Sequence, residues 1–362
     1  MMLMRPSLVR LPCPAMRVEG RLVQHKFEIF ASVWRSEPVF SYPSPQGAAH
    51  RGHSMRAYGQ LVVGPPGSGK TTYCRGLAQL FDAIHRKHAI VNLDPANDND
   101  LGYDPAIDIR DLVDCTHVQE EMHLGPNGAL VYALEYLEAN VDWLTERLQG
   151  LIKDDTYLVF DMPGQVELFS MHSSLLKIIE ILQKTLEISL ASVMLIDSHL
   201  CMDAGNYLSG MVVSLNTMLH LGLPHVNVLS KVDMLEQYGE LPFHVGYYLQ
   251  PHNLGALAEV VSERIHPKFS RATEGLCDLL GDFGMVSQFA PLAVEDRTSM
   301  INVVKLIDRA NGFALGKVVK NEGEKLLDSV AAVSGEDVSV EDIWERLRYA
   351  AKERNRDQTP WR

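Results

Sequence analysis

Gln60-Leu-Val-Val-Gly64-Pro-Pro-Gly-Ser-Gly-Lys70-Thr71-Thr72 runs from an apolar stretch through a glycine-rich turn into the start of an amphipathic one. Gly64 to Thr71 matches G-x-x-x-x-G-K-T, after an expected strand and before an expected helix. Glycines let the backbone curl around an anion with its N–H groups inward, and the helix adds unpaired N–H groups and the positive end of its dipole. Gly67, Ser68, Gly69, Lys70, Thr71 and Thr72 are therefore expected to cradle phosphate, with Lys70 on the β- and γ-phosphates and the Thr71 hydroxyl on Mg²⁺. A glycine turn that matches by chance is the bland alternative, and the flanking strand and helix patterns weigh against it.

Outward from this stretch, short apolar runs alternate with longer amphipathic ones from Tyr58 onward, the pattern of a parallel sheet covered by helices. Strands are expected at Gln60 to Val63, Ala89 to Leu93, Tyr157 to Phe160, Val193 to Ile196, Val226 to Leu229 and Met285 to Phe289. Tyr73, Leu77, Leu80, Phe81 and Ile84 recur at helical spacing, as do Leu130, Leu134, Leu137, Val141, Leu144 and Leu148, and both stripes are expected to be core. The fold class expected is α/β: a P-loop NTPase with a mostly parallel sheet flanked by helices, plus a helical insertion at about 234–282. That domain is expected to span 55–320, followed by a polar tail at 321–362 with one helix from Val340 to Ala351.

The 362 residues are 46% hydrophobic, enough for a sizeable core. A net charge of -13 speaks against a broad grip on a nucleic-acid backbone, which needs clustered Lys and Arg. Residues 1–54 depart from that balance at +4 and read as a basic, disordered extension, although an Arg-rich, acid-poor segment also fits a transit peptide. The five cysteines are scattered and form no C-x-x-C pair, so neither a disulfide framework nor a zinc ribbon is expected. With no apolar run of 18 residues, no membrane partner is expected, and a cytoplasmic location follows.

Later strands deliver further polar groups to their carboxyl ends, where ligands gather in an open parallel sheet. Tyr157-Leu-Val-Phe-Asp161-Met-Pro-Gly164-Gln165 offers Asp161 to Mg²⁺, the Gly164 N–H to a γ-phosphate and Gln165 to a water. Asp94, in Val91-Asn-Leu-Asp94-Pro-Ala-Asn97, is expected to orient the attacking water or complete the metal shell. Ser230-Lys231-Val-Asp233 is similar to the N-K-x-D element of GTPases: an acid here accepts both the N1 and N2 protons of guanine, while the lysine stem covers the ring. Ser287 to Leu292 is expected to close over the base, with Leu292 in contact.

Leu124-Gly125-Pro126-Asn127-Gly128 precedes a long amphipathic stretch, and read alone it is a turn before a helix. Together with Pro65 to Cys74, Val91 to Asn97, Tyr136 to Trp143, Asp161 to Leu168, Ile196-Asp-Ser-His199 and Leu229 to Asp233, it resembles the GPN-loop GTPase family, most of all its second eukaryotic branch. The likeness covers roughly 56–314. It implies a homodimer, or a heterodimer with a related chain, in which the loop of Gly125, Pro126 and Asn127 reaches the partner's active site and Asn127 stabilises the phosphate intermediate. GTP and Mg²⁺ are the implied ligands, and Asn127, Asp94, Asp161 and Gln165 the implied catalytic group. The family also implies RNA polymerase II subunits or assembly factors as partners, with shuttling to the nucleus. A P-loop ATPase or kinase, and a nucleotide-binding scaffold with little turnover, are the competing readings.

Overall fold

The structure, a computed structural model, describes residues 57–97, 100–251, 253–283, 288–313 and 345–346. The chain divides at Gly52, and all that follows concerns the second unit, from His53. The expected extension at 1–54 and nearly all of the expected tail at 321–362 lie outside the described residues.

Seven strands form one sheet: β1 (Ala57–Val63), β2 (His88–Asn92), β3 (Ile107–Asp108), β4 (Tyr157–Asp161), β5 (Ile188–Asp197), β6 (His225–Ser230) and β7 (Ala290–Leu292). Their order is β3-β2-β4-β1-β5-β6-β7, and every pairing is parallel. Parallel strands need crossovers that put helices on the faces, so the strands are buried on both sides and read as unbroken apolar runs. All five residues of β4 and all six of β6 are buried accordingly. One face carries the helices Lys70–Ala83 and Arg297–Ala310, whose Tyr73, Leu77, Met300, Val303, Val304 and Ile307 pack on Val62, Val193 and Val228. Against the other face lies helix Ala204–Leu221, where Ser214 bonds His225 of β6. Among the described residues, four α-helices occupy the span between β6 and β7: Leu235–Tyr238, Val245–Leu249, Leu254–Arg264 and Ser270–Asp282.

Two expectations are corrected and one strand is added. The last strand among the described residues is Ala290–Leu292, just after the expected Met285 to Phe289; Gln288 and Phe289 are outside it and 284–287 lie outside the described residues. Pro291 argues against a strand in a sequence, but β7 is an edge, where a missing N–H breaks no ladder. β3 was not foreseen, because two residues show no period. The long stripe from Leu130 to Leu148 is two helices, Pro126–Ala139 and Val141–Lys153, broken at Asn140, whose side-chain amide donates to the Tyr136 carbonyl at 2.8 Å.

Candidate nucleotide site

β1 feeds the glycine-rich turn at the centre of the sheet's carboxyl edge, between β4 and β5. Gly67 (φ 77°) and Gly69 (φ 91°) adopt left-handed conformations that side chains disfavour, and Gly69 caps the Lys70–Ala83 helix. The helix thereby starts with its free N–H groups at the turn, a ready anion site. Ser68 is buried with a hydroxyl that has no protein partner. Lys70 is only 7% exposed, and its Nζ lies 3.4 Å from the Pro65 carbonyl. Burial pushes its pKa down, while the Asp161 and Asp94 carboxylates oppose that shift. Thr72 is exposed beside this cradle.

Asp161 ends β4 in register with Val62 of β1 and Asn92 of β2. It is fully buried, and that burial pushes its carboxyl up to about 6. Its Oδ2 accepts from the Tyr103 hydroxyl at 2.8 Å and the Asn97 amide at 3.5 Å. Its Oδ1 accepts no well-aligned hydrogen bond among the described residues. Thr71 Oγ1 donates to Asn97 Oδ1 at 3.3 Å, so the Thr71 hydroxyl and the Asp161 carboxylate meet around one amide. Asp94 holds its own loop: its N–H donates to Asn92 Oδ1 at 3.2 Å, and its carboxylate accepts from the N–H of Ala96 at 3.0 Å. Burial raises the Asp94 pKa, against the N–H of Ala96, Lys70, Arg110 and the N–H of Gly164. A hydroxyl, an orphaned carboxylate oxygen and a second carboxylate are hard oxygen donors of the kind Mg²⁺ takes when substrate phosphates and water complete its shell. The residues therefore fit Mg²⁺. Among the described residues no group of three or more His, Cys, Asp or Glu could hold a metal ion.

Gly164 follows β4 where the chain passes the phosphate turn. A Cβ there would sit 2.9 Å from Lys70 Nζ and 3.2 Å from Pro66 Cα, so only glycine fits without moving the turn. Gln165 begins the short helix Val166–Ser170 through its carbonyl, which accepts from the Leu168 N–H at 3.1 Å; its half-buried side chain makes no capping bond.

On the far side of the turn, Lys231 sits in a left-handed conformation (φ 57°) at the tip of β6. Its Nζ donates to the Gly67 carbonyl at 2.5 Å and to Asp197 Oδ2 at 2.7 Å. The Ser230 hydroxyl is directed at the Ser68 carbonyl, 2.7 Å, and the Ile196 carbonyl, 3.1 Å. Ser230 is thus a strut between β6 and the turn. Asp233 stands half-buried on the next turn, Val232–Met234. Leu292 is a correction: paired with Ser230 across the ladder, its side chain is wholly buried in the core, and cannot lie on a base.

Gly125, Pro126 and Asn127 form the exposed start of the Pro126–Ala139 helix, with Gly125 as cap and Pro126 in the first position, where its missing N–H costs nothing. Ala129 is buried in regular helix, and its carbonyl accepts from the Cys115 thiol at 3.7 Å. Burial, then the Asp94 and Asp114 carboxylates, push that thiol up to about 11.

Four residues escaped sequence reasoning. Asn92 is fully buried and binds Asp108, the Asp94 N–H and Asn97. Asp108 pairs with Arg110 at 2.6 Å, and Tyr103 reaches Asp161. Only Asn92 carried a signal, inside the Val91 to Asn97 stretch; Tyr103 sits in the loop before β3, and Asp108 and Arg110 in a two-residue strand and the single turn after it, all too short to show a period. Asp197, the partner of Lys231, lay in a quoted stretch but was given no role.

A family profile described as "Conserved hypothetical ATP binding protein" matches residues 62–313. The chain is 48% identical to GPN-loop GTPase QQT1 of Arabidopsis thaliana over 71% of its length and 85% of the relative's. It is 41% identical to GPN-loop GTPase 2 of Danio rerio over 83% of its length and 96% of the relative's. GPN-loop GTPase 2 of Saccharomyces cerevisiae matches at 44%, over 72% and 76% of the two chains. Among solved structures, an apo-form GTPase from Pyrococcus abyssi superposes with a TM-score of 0.56 at 24% identity, covering 70% of this chain and 97% of that one, a likeness of fold. With a phosphate turn, a carboxylate at the tip of β4 and these relatives along most of its length, the chain belongs to the GPN-loop GTPase family.

Proposed function

We propose that this protein binds and hydrolyses GTP as a dimeric, nucleotide-driven switch. The observation that carries the reading is the Lys231 bridge from Asp197 to the Gly67 carbonyl. It lays an aliphatic stem beside the phosphate turn, where it covers a base, and leaves the Asp233 carboxylate to accept two protons that guanine offers and adenine lacks. The relatives' names agree with guanine; the profile's description names ATP, and base preference decides between them.

In this mechanism the N–H groups of Gly67 to Thr72 and the Lys70 ammonium bind the β- and γ-phosphates. Thr71 and Asp161 would hold Mg²⁺, which supplies neutralising charge at those phosphates when bound. Asp94 orients the attacking water, and the Gly164 N–H joins the γ-phosphate to the β4 loop. Gln165, the next residue, orients a water. Asn127 acts on the partner's phosphates, since an amide both donates to a phosphate oxygen and accepts from a water. Such an arrangement makes turnover depend on assembly. Family membership supports RNA polymerase II subunits or assembly factors as clients, and cytoplasmic residence with nuclear shuttling.

The test is binding and hydrolysis of GTP and ATP with Mg²⁺, across protein concentrations that span dimerisation. GTP preference with specific activity rising as the dimer forms supports the reading. ATP preference, or tight GTP binding with no turnover at any concentration, overturns it. Co-purification of polymerase subunits dependent on GTP over GDP tests the client.

A further inference from the structure

The geometry points to Tyr103 as a positioning residue that fixes which oxygen of Asp161 is presented to a divalent cation, and so ties the loop between β2 and β3 to the cation site. This deepens the proposed function and rests on it. Three observations converge. The Tyr103 hydroxyl donates to Asp161 Oδ2 at 2.8 Å, a good bond to a carboxylate removed from water. The other oxygen, Oδ1, is buried and accepts no well-aligned hydrogen bond among the described residues, although the Thr71 hydroxyl and the Cys74 thiol lie close to the carboxylate, a costly state unless a ligand completes it. Asn97 accepts from Thr71 while its amide reaches Asp161 Oδ2 at 3.5 Å, so both groups of the cation site touch the segment that carries Asp94.

Tyr103 itself is held firmly. Its ring packs on the core cluster that contains Tyr73, Cys74 and Leu77, and its neighbour Gly102 lies against the Arg75 side chain, where a Cβ would come within 2.7 Å of Cδ. The ring thus anchors to the phosphate-turn helix while the hydroxyl orients the β4 carboxylate. Asp161 cannot rotate to offer both oxygens without giving up that bond. Donors that bond to a metal's ligand set that ligand's orientation, and their loss typically weakens metal affinity about 10- to 100-fold.

The experiment uses the full chain, Mn²⁺ as the probe ion followed by the electron paramagnetic resonance signal of the free ion, and GDP as nucleotide. Tyr103→Phe keeps the ring and removes the hydroxyl. The expected result is roughly tenfold weaker Mn²⁺ binding in the presence of GDP, with GDP affinity in EDTA and the unfolding midpoint both unchanged. Unaltered Mn²⁺ affinity in Tyr103→Phe, beside a wild type that binds Mn²⁺ with GDP, overturns the role of Tyr103 alone. A parallel loss of metal-free GDP affinity and of thermal stability shows a brace and overturns it too. A wild type whose Mn²⁺ binding is indifferent to GDP and to Thr71→Ala overturns the cation assignment of the proposed function itself.

Discussion

The Ser230 hydroxyl lies 2.7 Å from the Ser68 carbonyl, joining the last residue of β6 to the phosphate turn across 162 positions of sequence. Where an N-K-x-D element has an amide, this chain has the hydroxyl of a residue that is 3% exposed, and it faces protein. Ser230→Ala is expected to weaken GTP binding about fivefold, the worth of one net hydrogen bond of ~1 kcal/mol. Ser230→Asn, which restores the residue of that element, is expected to lower stability by about 1–3 kcal/mol through overpacking. Calorimetric titration with GTP and thermal unfolding of the two variants check both.

Gly164→Ala should push on Lys70 Nζ and the Pro66 backbone at once. Lysine ends move cheaply; backbone does not. The expected outcome is GTP affinity down by about tenfold, order of magnitude, with a smaller loss for GDP, which lacks the phosphate facing Gly164. Competition of GTP and GDP for a fluorescent nucleotide measures the ratio.

Asn127 is exposed, so Asn127→Ala should leave folding and nucleotide affinity within experimental scatter. Turnover should fall by about 10²–10³, the usual effect of losing one donor to a developing charge. Mixing Asn127→Ala with Lys70→Ala should restore part of the activity if the loop acts across subunits; a mixture no better than its parts would refute that.

At the opposite end of the sheet, Arg86 meets Asp308 through two bonds of 3.2 and 2.7 Å, with its guanidinium 4.4 Å from the Phe313 ring centre and 4.9 Å from that of Phe81. Asp308→Asn leaves this buried cation without a counter-charge. A loss of about 3–5 kcal/mol in urea unfolding is expected, with nucleotide affinity of the folded fraction unchanged.

His225 is bonded to Ser192, Ser214 and Asn227 in the interior, and burial pushes its pKa down to about 4. The unfolded histidine binds a proton near 6.5 that the folded one refuses, so stability falls as pH drops from about 6.5 toward 4, by up to ~3 kcal/mol. Asp161, raised to about 6, works in the opposite sense over part of that range. Comparing unfolding free energies of the wild type and His225→Gln between pH 7 and 4.5 isolates the histidine: the wild type should lose more.

Patterns dense in one stretch were legible in advance. The phosphate turn announces itself because binding an anion by backbone demands glycines at set positions, and β1, β2, β4, β5 and β6 announce themselves because parallel strands buried on both faces must be apolar throughout. Asp94, Asp161, Lys231 and Asp233 could be singled out as candidates because each ends or follows such a strand, and the carboxyl ends of parallel strands share one edge. β7 was misplaced because whether Pro291 is tolerated depends on lying at an edge, a property of strand order.

The sequence by itself therefore determined that this chain folds as a P-loop protein, and which polar residues stand at its strand tips. The tertiary structure alone decided what each side chain does there: that Ser230 braces the turn, that Leu292 is core, that Lys231 answers to Asp197, and that Tyr103 leaves one Asp161 oxygen free. The reason is physical. Local sequence encodes backbone conformation and burial, whereas a hydrogen bond between residues far apart exists only after the sheet has brought their strands into register.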